Sequence, residues 1–164
     1  MDVNLEALKV LFERTAKAKT GLRIDVMFSE NISSACTDGN VIRINPGNSQ
    51  IFGNVPEENR ELFIAGLFGH ELMHCLKTPF DELKEMSESR YKAEFGKFRM
   101  IQNVLEDPAI ENFAAWFEGG FLDEGIKYVN ECLFEESPET ESIDEGNEDK
   151  TAFMQWKSAM LYYG

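Results

Sequence analysis

Residues Leu67–Leu76 have the sequence Leu-Phe-Gly-His-Glu-Leu-Met-His-Cys-Leu and contain both histidines of the chain. On a helix, His70 and His74 lie one turn apart on the same face, with Cβ atoms about 5–6 Å apart. Two imidazoles at this spacing can bind one Zn²⁺ ion, and Glu71 between them can act as a general base. The pattern therefore predicts a zinc site on a helix. The alternative is a pair of structural histidines with an incidental glutamate.

The sequence around this motif predicts one long helix over Glu57–Leu76. The helix should be largely buried, because its apolar residues are too frequent to lie on one face: Leu62, Phe63, Ile64, Leu67, Phe68 and Leu72. Gly66 and Gly69 are poor helix residues, and each costs about 1 kcal/mol relative to alanine. They indicate either the close approach of another backbone or ordinary tight helix packing.

Upstream of this helix, the patterns predict one helix and two strands. Apolar residues at steps of three and four predict a helix over Asn4–Lys19 that ends at Gly21. Alternating apolar residues predict a strand over Leu22–Phe28 and a second strand over Val41–Asn45. A turn at Thr37–Asn40 is predicted between them.

Downstream of the motif, the patterns are helical again. Helices are predicted over Phe80–Glu106, between Pro108 and the Gly119-Gly120 pair, and over Leu122–Phe134. The predicted fold class is therefore α+β, mainly helical, with a small sheet packed on the motif helix.

Changes in composition divide the chain into three segments. Residues 1–134 are predicted to form one domain of ordinary size. Residues 135–149 are strongly acidic and almost free of apolar side chains, which is typical of a mobile linker. Residues 150–164 are apolar and aromatic, and they predict a C-terminal helix that packs back and leads towards a further domain.

Charge and cysteine content exclude several functions. A net charge of −14 disfavours binding to nucleic acid and to anionic membranes. The cysteines Cys36, Cys75 and Cys132 include no C-x-x-C pair, so neither a thiolate zinc site nor a disulfide framework is predicted. The sequence has no signal-peptide pattern and no apolar run long enough for a membrane helix. Reduced thiols and a cytoplasmic location are the expectation.

A third zinc ligand is needed, because a catalytic zinc ion typically takes three protein ligands and one water molecule. No histidine remains, so this ligand must be a carboxylate. The acidic cluster within residues 103–111, Asn-Val-Leu-Glu-Asp-Pro-Ala-Ile-Glu, is the best candidate, since buried carboxylates are costly unless paired or bound to metal. Glu106 and Asp107 both remain open. A solvated helix face is the alternative interpretation.

The two motifs together resemble the metallopeptidase domains that precede von Willebrand A-like domains in bacterial and phage proteins. More distantly, they resemble the von Willebrand-type subunit of the aerobic cobalt chelatase. The resemblance covers roughly residues 40–115. It implies a zincin-like fold with His70, His74 and an acid of the second motif on the metal, and with Glu71 as the base. It also favours Asp107 over Glu106 as the third ligand.

The sequence departs from the chelatase-like pattern at two positions. Ala109 stands where that pattern has arginine, and Pro108 disfavours helical backbone at the preceding residue. We therefore expect Asp107 to end one helical segment and Pro108 to begin the next, in which case Asp107 could cap the new helix instead of binding metal. Asn103 and Glu111, one turn away on either side, are candidates for orienting a ligand, or else surface polar residues.

These features predict a zinc-dependent metallopeptidase that acts on a peptide or protein substrate. Glu71 would take the proton of the zinc-activated water and pass it to the leaving amine. The strand Val41–Asn45 is predicted to be the edge strand that pairs with the substrate backbone. Four side chains could stabilise the transition state and none is favoured: Tyr91, Arg99, Tyr128 and Tyr162.

Two hypotheses of other classes remain beside the enzyme. One is a metal-stabilised adaptor that works with a von Willebrand A-like domain and an ATPase. The other is a metal-free helical interaction domain, which requires the histidine spacing to be accidental. Glu71 favours the enzyme, because an adaptor needs no base at that position.

Overall fold

The computed structural model describes residues 3–47, 53, 55–89, 92–114 and 120–134. The predicted linker at residues 135–149 and the predicted helix at residues 150–164 lie outside the described residues. Within these ranges, the structure contains five α-helices and a three-stranded sheet, so the mainly helical α+β class is confirmed. The elements are α1 (Leu5–Thr20), β1 (Asp25–Phe28), β2 (Ala35–Thr37), β3 (Val41–Ile44), α2 (Arg60–Lys77), α3 (Phe80–Glu88), α4 (Phe95–Ala114) and α5 (Phe121–Phe134).

Helix α1 has well-defined ends and packs on α2. The Asn4 side chain accepts a hydrogen bond from the Ala7 N–H at 3.0 Å and caps the start of the helix. Gly21 ends it in the left-handed conformation, with φ of 74°. In the core, the ring of Phe12 stacks on that of Phe68 with centroids 4.3 Å apart. The predicted helix is thus confirmed, and an aromatic contact fixes it to α2.

The sheet has the strand order β1-β3-β2, with β3 parallel to β1 and antiparallel to β2. Val26 and Ile42 pair across β1 and β3, and both are fully buried. On the outer edge of β1, the Glu13 carboxylate of α1 accepts a hydrogen bond from the Val26 N–H at 3.2 Å. One face of the sheet therefore packs into the core, and α1 protects one edge.

The prediction that Val41–Asn45 forms the edge strand is wrong. β3 lies between the two other strands, and β2 is the edge strand that packs beside α2. β2 has only three residues, too few for an alternating pattern to stand out in the sequence. Thr37, expected in a turn, is the last residue of β2, and the turn itself follows it.

Helix α2 is buried on several faces, as its sequence predicts. It packs against α1, α4, α5 and the sheet, and Phe63, Phe68 and Leu72 have no exposed surface. The helix begins at Arg60, because Glu57–Asn59 form a short 3₁₀ turn instead of the predicted first helical turn. This central helix carries both histidines, so every element packed on it affects their positions.

A close approach of two backbones holds α5 against α2. An added Cβ at Gly66 would lie 2.1 Å from the Gly125 carbonyl oxygen, and one at Gly125 would lie 2.6 Å from the Gly66 nitrogen. Gly66 is therefore a position of close backbone approach, which is one of the two roles predicted for it. Gly69 instead faces the Ile126 side chain at 3.2 Å, which is tight helix packing.

The predicted helix over Phe80–Glu106 is wrong in one respect, because the structure contains two helices there. Helix α3 ends at Glu88, and Ser89 has extended backbone. A separate helix, α4, begins at Phe95 after a short 3₁₀ turn at Lys92–Glu94. No helix of the described residues is both long and apolar enough to cross a membrane.

The predicted helix boundary between Asp107 and Pro108 is also wrong. Helix α4 runs through Pro108 to Ala114, so Asp107 is an interior residue and not a cap. A proline inside a helix removes one hydrogen bond and costs about 3 kcal/mol or more. Val104, Pro108 and Ile110 are all buried, and α4 packs against α2. Their burial offsets this cost. Helix propensities do not include tertiary burial, so they could not predict a helix that continues through Pro108.

We predict that Gly66→Ala lowers the free energy of unfolding by at least about 1–3 kcal/mol, the usual range for overpacking. The added methyl group cannot coexist with the α5 backbone at its present distance. The control is Gly96→Ala on α4, where an added Cβ meets nothing within 4 Å. Urea unfolding monitored by circular dichroism measures both, and equal stability of the two variants would contradict the observed packing.

Candidate metal centre

Helices α2 and α4 bring His70, His74 and Asp107 together. The two Nε2 atoms of the histidines are 3.2 Å apart. The Asp107 Oδ1 atom lies 3.4 Å from His74 Nε2 and 4.0 Å from His70 Nε2. These three residues form a group that could hold a metal ion. All three side chains are partly exposed, which leaves the group open to solvent on one side.

The three atoms are of the donor types that bind zinc, and two of their three separations match tetrahedral geometry. Zinc–nitrogen and zinc–oxygen bonds of about 2.0–2.2 Å in tetrahedral geometry place two ligand atoms about 3.3 Å apart. The separations of 3.2 and 3.4 Å are close to this value, whereas the separation of 4.0 Å between His70 and Asp107 is longer. When both histidines direct Nε2 lone pairs towards the Asp107 carboxylate, three acceptors face each other. A cation between them relieves that repulsion.

Glu71 lies on α2 between the two histidines, and its residue surface is 8% exposed. Burial raises the pKa of Glu71, while the charges of His70 and His74 lower it. Asp107 and Arg99 also act on this pKa, the former raising it and the latter lowering it. The carboxylate is thus within electrostatic reach of the whole cluster.

The Glu71 carboxylate is also accessible to water. It has no hydrogen bond to another described residue, and the described residues contain no fully buried side-chain oxygen or nitrogen without a partner. Its oxygen atoms therefore remain in contact with solvent. A mostly buried carboxylate that meets water beside a candidate metal centre can accept a proton from that water.

Glu106 lies on the other side of His74 from Asp107. Its Oε2 atom is 3.6 Å from His74 Nδ1, whereas Asp107 approaches Nε2. The same Nδ1 atom lies 2.9 Å from Thr78 Oγ1. The sequence left Glu106 and Asp107 open as the third ligand. Asp107 faces the proposed metal position, whereas Glu106 faces the Nδ1 side of the His74 imidazole. Sequence reasoning missed Thr78, although its spacing of four residues from His74 was a usable signal.

The two predicted orienting residues have different outcomes. Asn103 is exposed and has no hydrogen bond to another described residue, so the described structure gives it no contact with the centre. Glu111 lies on α4, and its side chain is outside the described part of the structure.

The four candidates for transition-state stabilisation also differ in what the structure shows of their positions. The Tyr128 hydroxyl accepts a hydrogen bond from Asn59 at 3.1 Å, next to the N-terminal end of α2 and away from the histidines. Arg99 lies on α4, and its charge reaches Glu71. Tyr91 and Tyr162 fall outside the described residues. Arg99 is thus the candidate that shares the electrostatic environment of the centre.

The three cysteines are free thiols and none belongs to the metal-binding group. The Cys75 Sγ atom contacts Thr37 Oγ1 of β2 at 3.2 Å. Burial is the main cause that raises the pKa of the Cys75 thiol to about 11. Cys75 therefore packs α2 against β2.

Another face of α2 borders an apolar cavity of about 460 Å³. The cavity lies between α1, α2 and the start of α5, and its lining includes Leu11, Gly69, Met73, Phe121 and Ile126. No residue of the His70–His74–Asp107 group lines it. The candidate chemistry and this cavity thus occupy different faces of the same helix.

Comparisons of the chain with protein-family models, with curated proteins and with solved structures found no match.

We predict that Asp107→Ala weakens zinc binding by more than about 100-fold, whereas Glu106→Ala weakens it by about 10–100-fold, the usual effect of an orienting residue. Only Asp107 lies beside both Nε2 atoms. Competition with a chromogenic chelator measures both affinities. A larger loss in Glu106→Ala than in Asp107→Ala would reverse the assignment of the third ligand.

Proposed function

We propose that this protein is a zinc-dependent peptidase with a zincin-like fold. The observation that supports it best is the convergence of His70 Nε2, His74 Nε2 and Asp107 Oδ1 beside the Glu71 carboxylate. These residues come from two helices, and only their packing brings the acid to the histidines. Two histidines, one carboxylate and a neighbouring glutamate match the needs of metal-assisted hydrolysis.

When bound, zinc supplies a Lewis acid that polarises a substrate carbonyl group and makes water more acidic. His70, His74 and Asp107 would hold it. Glu71 accepts a proton from the attacking water and delivers that proton to the leaving amine. Its burial supports this role, because the raised pKa of a shielded carboxylate makes it a stronger base.

Glu71 also favours zinc over a redox metal. Two histidines and one carboxylate are the ligand set of many non-haem iron proteins as well. Those proteins activate oxygen and need no carboxylate base between the histidines, whereas hydrolysis does. The proposed metal is therefore zinc and the proposed reaction is hydrolysis.

The edge strand β2 is the proposed docking site for an extended peptide. Thr37 of β2 contacts Cys75, which lies one helical turn beyond Glu71 on α2. A peptide that pairs with β2 through its main chain would pass close to Glu71. β2 thus takes the role that the sequence assigned to Val41–Asn45.

We predict about one equivalent of zinc per chain in protein purified without chelator, and none in a His70→Ala/His74→Ala variant. The variant removes two of three ligands, and the chain has no other histidine to replace them. Inductively coupled plasma mass spectrometry measures zinc and iron in the same sample. Undiminished zinc in the variant would exclude the site, and stoichiometric iron in the wild type would contradict the assignment of zinc.

The decisive prediction for catalysis concerns Glu71→Gln. This variant keeps the size of the side chain and all three ligands, so zinc binding and fold should persist while peptide hydrolysis falls by at least about 100-fold. The matched control is Glu61→Gln, the same substitution at an exposed position of α2. The substrate is a digest of unfolded protein. Mass spectrometry quantifies the peptides that each variant produces from it.

Two outcomes would contradict the peptidase. Cleavage that survives Glu71→Gln unchanged arises from another site or from a contaminant. A wild-type protein that holds zinc but cleaves neither the digest nor itself supports the alternative function, a metal-stabilised adaptor that acts beside a von Willebrand A-like domain and an ATPase.

A further inference from the structure

The edge strand β2 directs main-chain groups of two residues away from the sheet. Beside this strand, the Asn45 N–H donates to the Ser34 carbonyl group at 2.7 Å. Hydrogen-bonded pairs alternate along an antiparallel ladder, so Cys36, two residues beyond Ser34, also directs its N–H and carbonyl groups to β3. Ala35 and Thr37 therefore direct theirs to the opposite side, where no other strand of the described residues lies.

A peptide that pairs antiparallel with β2 would bond to the main chains of Ala35 and Thr37. Its residue opposite Cys36 would then form a non-hydrogen-bonded pair, in which the side chains are closest and the Cα atoms are about 4.5 Å apart. The two side chains of such a pair lie on the same face of the sheet. Because Thr37 faces α2, this is the face of the sheet turned away from α2.

Arg43 of β3 lies on this same face, directly across from Cys36. Its Nη1 atom donates a hydrogen bond to Asp38 Oδ2 at 3.0 Å. The other carboxylate oxygen of Asp38 accepts the N–H groups of Asn40 and Val41 at 3.1 and 3.0 Å, which fixes the carboxylate in the turn. The turn therefore holds the Arg43 guanidinium group in a defined position beside β2.

The guanidinium group also reaches the Cys36 side chain. Burial is the main cause that raises the pKa of the Cys36 thiol, and the charge of Glu71 raises this pKa further. A hydrogen bond from Arg43 acts in the opposite direction and lowers it. Cys36 thus lies within reach of both the guanidinium group and the proposed catalytic base. The Arg43 side chain is 35% exposed, so a peptide on β2 can contact it.

The chemistry of Arg43 suits an acidic side chain. A guanidinium group carries several N–H donors in a rigid fork that matches a carboxylate, more than Asp38 and Cys36 occupy. The chain has a net charge of −14, so an acidic peptide needs a local cation in order to bind. A lysine or arginine side chain at the same position would be repelled by the guanidinium group.

We propose that Arg43 is a specificity-determining residue that selects peptides with an aspartate or glutamate side chain opposite Cys36. As a statement about substrates, this rests on the proposed function, in which an extended peptide docks on β2. The binding preference itself can be measured without any cleavage.

The first experiment measures binding in the Glu71→Gln background, which prevents turnover. Three fluorescent peptides share an extended sequence rich in threonine and valine, and they carry glutamate, glutamine or lysine at the central position. Fluorescence anisotropy should show that the glutamate peptide binds about 10-fold more tightly than the glutamine peptide, as a charge-assisted hydrogen bond provides. Adding Arg43→Gln should remove this preference. The matched control, Arg14→Gln at an exposed position of α1, should retain it.

The second experiment uses wild-type protein and the digest of unfolded protein. Its cleavage sites are aligned on the cleaved bond. We expect acidic residues to be enriched at one fixed position in the wild type and not in Arg43→Gln. Asp38→Asn should keep the enrichment, because the amide oxygen can still accept the hydrogen bonds of the turn while the guanidinium group keeps its charge.

Equal affinities for the glutamate and glutamine peptides, or a preference that survives Arg43→Gln, would overturn the proposal. Tighter binding of the lysine peptide that is lost in Asp38→Asn would assign the selection to Asp38 instead. Binding of none of the three peptides would also refute the docking on β2. Circular dichroism checks the fold, and Arg43→Met carries the test if Arg43→Gln is unfolded. Failure of the proposed function would appear differently, as wild-type protein without zinc or cleavage in which the Arg43-dependent binding persists.

Discussion

The burial of α2 against several neighbours is the constraint on which the rest of the structure depends. Phe68 and Leu72 lie in the core, and Gly66 meets the backbone of α5 without room for a side chain. Since α2 is held by packing in several directions, its orientation leaves little freedom to His70 and His74. The same rigidity that stabilises the fold thus positions the two histidines before any metal binds.

The cluster concentrates acidic groups at a partly buried position. Glu71, Glu106 and Asp107 lie within reach of two imidazoles, and Arg99 is the cation whose charge reaches Glu71. Such a cluster is costly in a low-dielectric environment unless each charge has a partner. Two acids have different partners in this structure, since Asp107 faces the Nε2 side and Glu106 faces Nδ1 of His74. Two similar side chains thus approach different nitrogen atoms of one imidazole.

Pro108 illustrates how tertiary packing overrides a local rule. A proline disfavours helical backbone at the residue before it. Asp107 is nevertheless helical, and α4 continues beyond it. Val104 and Ile110, on either side of the proline, are buried and hold the helix against the core. The uninterrupted helix matters for the site. It holds the adjacent residues Glu106 and Asp107 in helical conformation, so that both side chains approach His74.

The sequence by itself determined the mainly helical class, the buried helix around the motif and the residues able to bind metal, because periodicity and side-chain chemistry are local properties. Only the tertiary structure shows that Asp107 lies beside Nε2 of both histidines while Glu106 lies beside Nδ1 of His74, since these positions depend on the rotation of α4 against α2. It also decided that β3 is central and β2 lies at an edge, because strand order depends on pairing between distant segments. The contact between Glu106 and His74 could not be predicted either, since it requires two helices to be in contact.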